Sequence, residues 1–145
     1  RHNEDIYLIP SYSVSEFSFY DITTFIERKF TRADQFQYVK TNALGFLEVL
    51  VDGKLSAFSN HEIDVYPASY SVSLSGSHRS NSIVWEEVFF VQWENKVYLL
   101  SRKRKENQVY FGNKADEVWS FIRNNGLNYK RRKDIISIFE YYNSL

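Results

Sequence analysis

The sequence predicts an α+β fold: an antiparallel β-meander of about seven or eight strands, with one N-terminal helix and two C-terminal helices. Three observations carry this. Across residues 36–111, β-branched and aromatic residues alternate in short runs broken by turn residues, the period of half-buried strands. Residues 84–100 read as a hairpin whose first strand is apolar on both faces at Val88, Phe89, Phe90 and Val91, so it needs cover on both sides. After residue 112 the period becomes helical, with Ala115, Val118, Trp119 and Ile122 on one stripe and Ile135, Ile138, Phe139 and Tyr142 on another.

Taken in order, residues 6–9 are a short apolar run ended by Pro10, which suits an edge strand because Pro cannot donate to a ladder. Phe19, Ile22, Phe25, Ile26 and Phe30 recur at helical spacing behind N-cap candidates Ser13 and Ser18, which predicts a helix over about 15–30. Residues 46–51, Asp52-Gly53 and 54–58 form a hairpin signal, since Gly supplies the positive φ of tight turns. Residues 61–66 alternate up to Pro67, and 69–75 alternate Tyr70, Val72 and Leu74 against serines. A polar loop over 76–82 leads to the central hairpin, which turns at Glu94-Asn95-Lys96. One more strand is expected at 108–111, placing the basic run 102–105 at a hairpin tip. Asn113 is the expected N-cap of the next helix, Gly126 its C′ residue, and 133–143 the last helix.

The 145 residues fit one domain spanning 1–145, large enough for a real core, and 18% aromatic content excludes a disordered chain. Without Cys there is no disulfide framework, Cys-based zinc site or thiol nucleophile, which is compatible with a cytoplasmic location. No apolar run approaches the ~20 residues that span a bilayer, so no membrane partner is expected. The chain starts at Arg1 and contains no Met, as a processed chain or a fragment of a longer protein would. Its zero net charge is uneven: residues 1–100 hold 8 Lys/Arg and 13 Asp/Glu (8 − 13 = −5), and residues 101–145 hold 10 and 5 (10 − 5 = +5). Such a dipolar chain can steer a charged partner to one face.

Several constellations bear on chemistry. His61-Glu62-x-Asp64 resembles ligand spacing, but on a strand His61 faces away from Glu62 and Asp64, and only His2 and His78 remain as further imidazoles. No metal and no cofactor are expected. His78, in the polar loop, can pair with His61 as a general acid and base, the arrangement a metal-independent ribonuclease would use. The runs Arg102-Lys103-Arg104-Lys105 and Lys130-Arg131-Arg132-Lys133, with Tyr98, Tyr110, Trp119 and Tyr129 nearby in sequence, suit phosphate contact and base stacking; they also suit a charged hairpin tip and helix start. On the acidic side, Glu62, Asp64, Glu86 and Glu87, with Tyr66 and Trp85 as anchors, offer a surface for a basic protein partner.

A small, aromatic-rich α+β chain that closes on Ile138-Phe139-Glu140-Tyr141-Tyr142-Asn143-Ser144-Leu145 resembles immunity proteins of bacterial contact-dependent growth inhibition, the likeness covering the overall pattern and the terminal helix. The resemblance implies a non-catalytic protein that neutralises a toxin domain by covering its active site, and the acidic surface suits a basic partner. The alternative is a nucleic-acid-binding module or small ribonuclease using the two basic runs.

Overall fold

The structure, a computed structural model, describes residues 8–39, 43, 45–66 and 82–145, the side chains of 64–66 and 82 excepted. The strand expected over 69–75, His78 and all of the polar loop except Ser82 lie outside the described residues, as do Ile6 and Tyr7 of the expected first strand; Leu8 to Pro10 carry no regular structure.

Among the described residues seven strands form one sheet: β1 Glu16–Asp21, β2 Ile26–Arg32, β3 Gln37–Val39, β4 Phe46–Val51, β5 Ser56–Tyr66, β6 Ser82–Trp93 and β7 Lys96–Leu99. Three helices follow, the single turn α1 Arg104–Asn107, then α2 Ala115–Asn124 and α3 Arg132–Ser144. The α+β class, the mostly antiparallel sheet and the C-terminal helices agree with the sequence reading.

The N-terminal helix does not form. Residues 16–32 are a hairpin, flanked by 3₁₀ turns at Ser11–Ser13 and Ala33–Gln35. The run Ile22-Thr23-Thr24-Phe25 is β-branched and aromatic, which disfavours helix. Asp21 Oδ1 accepts from the Thr23 and Thr24 amides at 2.8 and 3.3 Å, and Phe25 N–H donates to the Asp21 carbonyl at 2.8 Å. One turn is therefore made, and Phe25 at φ +56° ends it in the left-handed region and sends the chain back as β2. The Phe and Ile residues that mimic a helical stripe belong to two strands and their turn.

The strand order β1-β2-β4-β5-β6-β7-β3 places β3 at the far edge, paired parallel with β7. That single parallel pair departs from a simple meander. Four strands lie between β2 and β3, a flat span of about 24 Å at ~4.8 Å per strand. The chain from Arg32 to Gln37 reaches about 18 Å at most, and less through the 3₁₀ turn at Ala33–Gln35. The sheet must therefore curl until its edges approach. Ala33, Leu47, Phe58, Phe90 and Val97 are buried on the inner side, with Phe36 and Tyr38 against them. Burial first, and Asp34 second, push the Tyr38 hydroxyl up to about 12, and that hydroxyl donates to the Ala33 carbonyl at 2.9 Å.

On the outer side α2 and α3 cover Val51, Ala57, Phe89 and Val91, with Val118, Ile122, Ile135, Ile138 and Phe139 buried beneath them. Val88–Val91 is thus covered on both faces as expected: Phe90 points into the curl, Phe89 and Val91 to the helices. Residues 108–111 are not a strand but part of a 3₁₀ segment, Gln108–Lys114, which buries Phe111. The outer edge of β7 is already taken by β3, so no lane is left for an eighth strand there. Accordingly, the run 102–105 leads into α1 rather than capping a hairpin. Lys114 rather than Asn113 occupies the N-cap of α2, without a side-chain cap, and Gly126 takes φ +63° just beyond its end.

The last helix is clamped to the β4–β5 turn. Leu55 N–H donates to Asn143 Oδ1 at 3.0 Å and Asn143 Nδ2 donates to the Leu55 carbonyl at 3.1 Å. Asn143→Ala leaves both groups of a buried residue unpaired and is expected to cost about 1–3 kcal/mol in urea denaturation. A Cβ at Gly53 would stand 2.5 Å from Asn143 Nδ2. Gly53→Ala should therefore act through the same clamp, and the double variant should cost less than the sum of the two.

Candidate functional site

β4 pairs with β5 no further out than Ser59, and β7 pairs with β6 only from Phe90 to Trp93. Among the described residues, the seven pairs from Asn60↔Val88 to Tyr66↔Ser82 therefore form a two-stranded arm beyond the sheet. Residues directly opposite share a face. Ile63↔Trp85 lies on the helix-facing side, in step with His61↔Glu87 and Ser59↔Phe89; Glu62↔Glu86 lies on the other side. Trp85 is 65% exposed, Ile63 52% and Ile83 61%. An isolated two-stranded ribbon is marginally stable in water, so an arm presenting such side chains gains from cover.

A second apolar outcrop stands on the same face of the sheet at β1 and β2. Phe17 stacks on Phe30 at 4.8 Å between ring centroids and meets the edge of Phe46 at 5.0 Å, and Phe19 stacks on Phe30 at 5.5 Å. The helices do not reach this far: Phe17, Phe19 and Ile26 are exposed, as are Tyr20, Ile22 and Phe25 around the turn.

Between the two outcrops lies a charge network. Glu48, 4% exposed, accepts from Arg28 Nε at 2.8 Å, is paired again by the Arg28 Nη2, and is paired by Arg132 at the start of α3. Arg132 also donates to Glu87 at 2.8 Å and to the Ser59 hydroxyl at 3.3 Å. Burial pushes the Glu48 carboxyl up, but hydrogen bonds and charge from the two guanidinium groups outweigh it and hold the carboxyl below its ordinary value. Arg28 also lies over the rings of Phe19 and Phe30 at 5.8 and 5.5 Å.

The two charged constellations of the sequence thus meet each other. Glu86 pairs with Arg102, Glu87 with Arg132, and Glu106 with Lys103 at 3.5 Å. Arg104 lies over the Trp119 ring. Glu86 and Glu87 stand on opposite faces of β6 and do not act together. Glu62 is exposed on the arm, and the side chains of Asp64 and Tyr66 lie outside the described ones. His61 is exposed on the arm, 26 residues before Glu87 in the chain but opposite it in register. No cluster of three metal-ligating side chains occurs among the described residues. No described helix is long and apolar enough to cross a membrane.

Sequence reasoning missed the β1–β2 outcrop. Its signal was Phe17-Ser18-Phe19 followed by Ile26-Glu27-Arg28-Lys29-Phe30, two alternating runs flanking a turn, which the helical spacing of the same residues obscured. The position of Arg102 also has a local cause. Buried Asn107 receives the Ser101 amide at 3.0 Å and donates to the Ser101 carbonyl at 2.8 Å, fixing the bend after β7. Asn107→Ala should cost about 1–3 kcal/mol and loosen the Arg102–Glu86 pair, readable by denaturation and by faster amide exchange over 101–103.

Comparison with family models, with curated proteins and with solved structures gives no match.

Proposed function

We propose that the chain is a non-catalytic protein-binding protein of the immunity or inhibitor type, which neutralises a partner such as a toxin domain by covering its active site. The observation that carries the reading is the arm. Its helix-facing side presents Ile63 and Trp85 in register, and a second apolar outcrop at Phe17 and Phe30 stands on the same sheet face beyond the charge network. An aromatic anchor in a patch with a polar surround is what a binding hot spot requires. The proposal shifts the affinity from the carboxylates to the aromatics. Glu86 and Glu87 are neutralised within the chain, so Trp85 becomes the principal anchor, while Glu62, Asp64 and Tyr66 hold register positions on the opposite face of the arm.

The test uses the protein encoded beside this one. Co-expression should relieve its toxicity, and the purified pair should form a complex. Trp85→Ala should weaken that complex by about 2–4 kcal/mol, roughly 30- to 1000-fold, with the melting temperature little changed. Charge reversal at Glu62 should change mainly the salt dependence of association. A complex indifferent to Trp85 and Ile63 would overturn this surface.

A further inference from the structure

Among the described residues, the lane of the sheet beside the arm is unoccupied. Leu100 N–H donates to the Phe89 carbonyl at 2.8 Å across to the β7 side, and from there the chain leaves the sheet. In an antiparallel ladder alternate residues turn their backbone groups to the same side. Glu87 and Trp85, in step with Phe89, therefore aim N–H and C=O away from β5 into the position that β7 has left. Among the described residues no backbone group pairs with them there. The position is a cleft of about 750 Å³, with Trp85 and Val88 on one wall and Leu99, Lys103, Tyr129 and Lys130 on the other.

We infer that this cleft takes one extended segment of a partner protein, added antiparallel to β6 as a strand that continues the line of β7 and carries an acidic side chain among apolar neighbours. Backbone bonds to Trp85 and Glu87 supply the attachment, and alternate side chains supply the selectivity. Charge decides the chemistry. The three carboxylates at the cleft are each taken, Glu86 by Arg102, Glu87 by Arg132 and Glu106 by Lys103, whereas Lys130 has no carboxylate partner among the described residues. The unbalanced charge is positive, and a guest carboxylate answers it. The width decides the count. Arg102 reaches from the far wall to Glu86, so the lane has room for a single strand and not for the two-stranded arm of a second copy.

The inference rests on the reading of the chain as a protein-binding protein, and the experiment separates the two. The probe is a capped seven-residue peptide alternating Thr and Val around a central Glu, titrated into the full chain with amide exchange followed residue by residue. Binding should slow exchange at Trp85 and Glu87 by about tenfold or more, and placing Lys at the centre of the peptide should weaken it. Glu87→Pro removes the outward N–H and should reduce peptide affinity by about tenfold, while Glu87→Ala, which loses the Arg132 pair but keeps the N–H, should reduce it much less. Absence of slowing at these amides, or equal binding by the two variants, overturns the lane. Slowing that grows with protein concentration without peptide would identify a second copy as the occupant and overturn it too. If the peptide fails while the neighbouring protein still binds through Trp85, the lane is wrong and the proposed function stands. A protected lane with no complex from the neighbouring gene gives the converse.

Discussion

Glu48→Gln is expected to destabilise the chain by about 2–4 kcal/mol. The carboxylate is buried and shared by Arg28 and Arg132, so the substitution leaves two guanidinium groups facing a neutral amide. Both arginines keep about a third of their side-chain surface in water, at 29% and 32% exposure, which places the loss below that of a fully buried pair. The pH dependence has a defined sign. The folded carboxyl titrates below its ordinary 4.5, so its contribution is present above that value and is lost as pH falls through the lower, folded value. Wild type should lose stability in acid below about pH 4.5, and the Gln variant should show a flatter profile over that window. Urea denaturation across pH reads both. Because Arg132 starts α3 and ties it to β4, β5 and β6, the variant should also loosen the helix N-terminus.

Phe90→Ala should cost about 3–5 kcal/mol. Phe90 is fully buried inside the curl, with Tyr38 of β3 edge-on at 6.2 Å, in a cluster that also holds Leu47 of β4, Phe58 of β5 and Val97 of β7. The cavity would lie between β6 and the parallel β3–β7 pair, so the loss should come with early exchange of the β3 amides. Phe89→Ala at the adjacent position opens the other core, under the helices, and should leave β3 protected. Amide exchange under native conditions distinguishes the two.

Legibility in the sequence followed the physical signal. The β6–β7 hairpin was readable because Val88–Val91 is apolar on both faces and Glu94-Asn95 breaks the run; both residues adopt positive φ in the turn. The helices α2 and α3 were readable because their stripes keep one period for three turns. Residues 16–32 were misread because Phe19, Ile22, Phe25, Ile26 and Phe30 satisfy a helical spacing, while the β-branched run and the Asp21 turn that defeat it are short-range effects. The curl was not readable, since the parallel pairing of β3 with β7 is non-local. For the same reason the sequence placed acidic and basic residues in two rival surfaces. Only the fold brings Arg102 to Glu86 and Arg132 to Glu87, so that the charges hold the chain together and the arm's aromatics are left exposed.

That reversal makes the arm the centre of the account, and an exchange footprint tests it directly. The full chain would be measured alone, with the protein encoded beside it, and with single-stranded RNA at low salt. Slowed exchange is expected at 61–63 and 83–87, extending to 17–20, with the protein only. Protection confined to 102–105 and 130–133 with RNA, or to α2 and α3 with the protein, would contradict it.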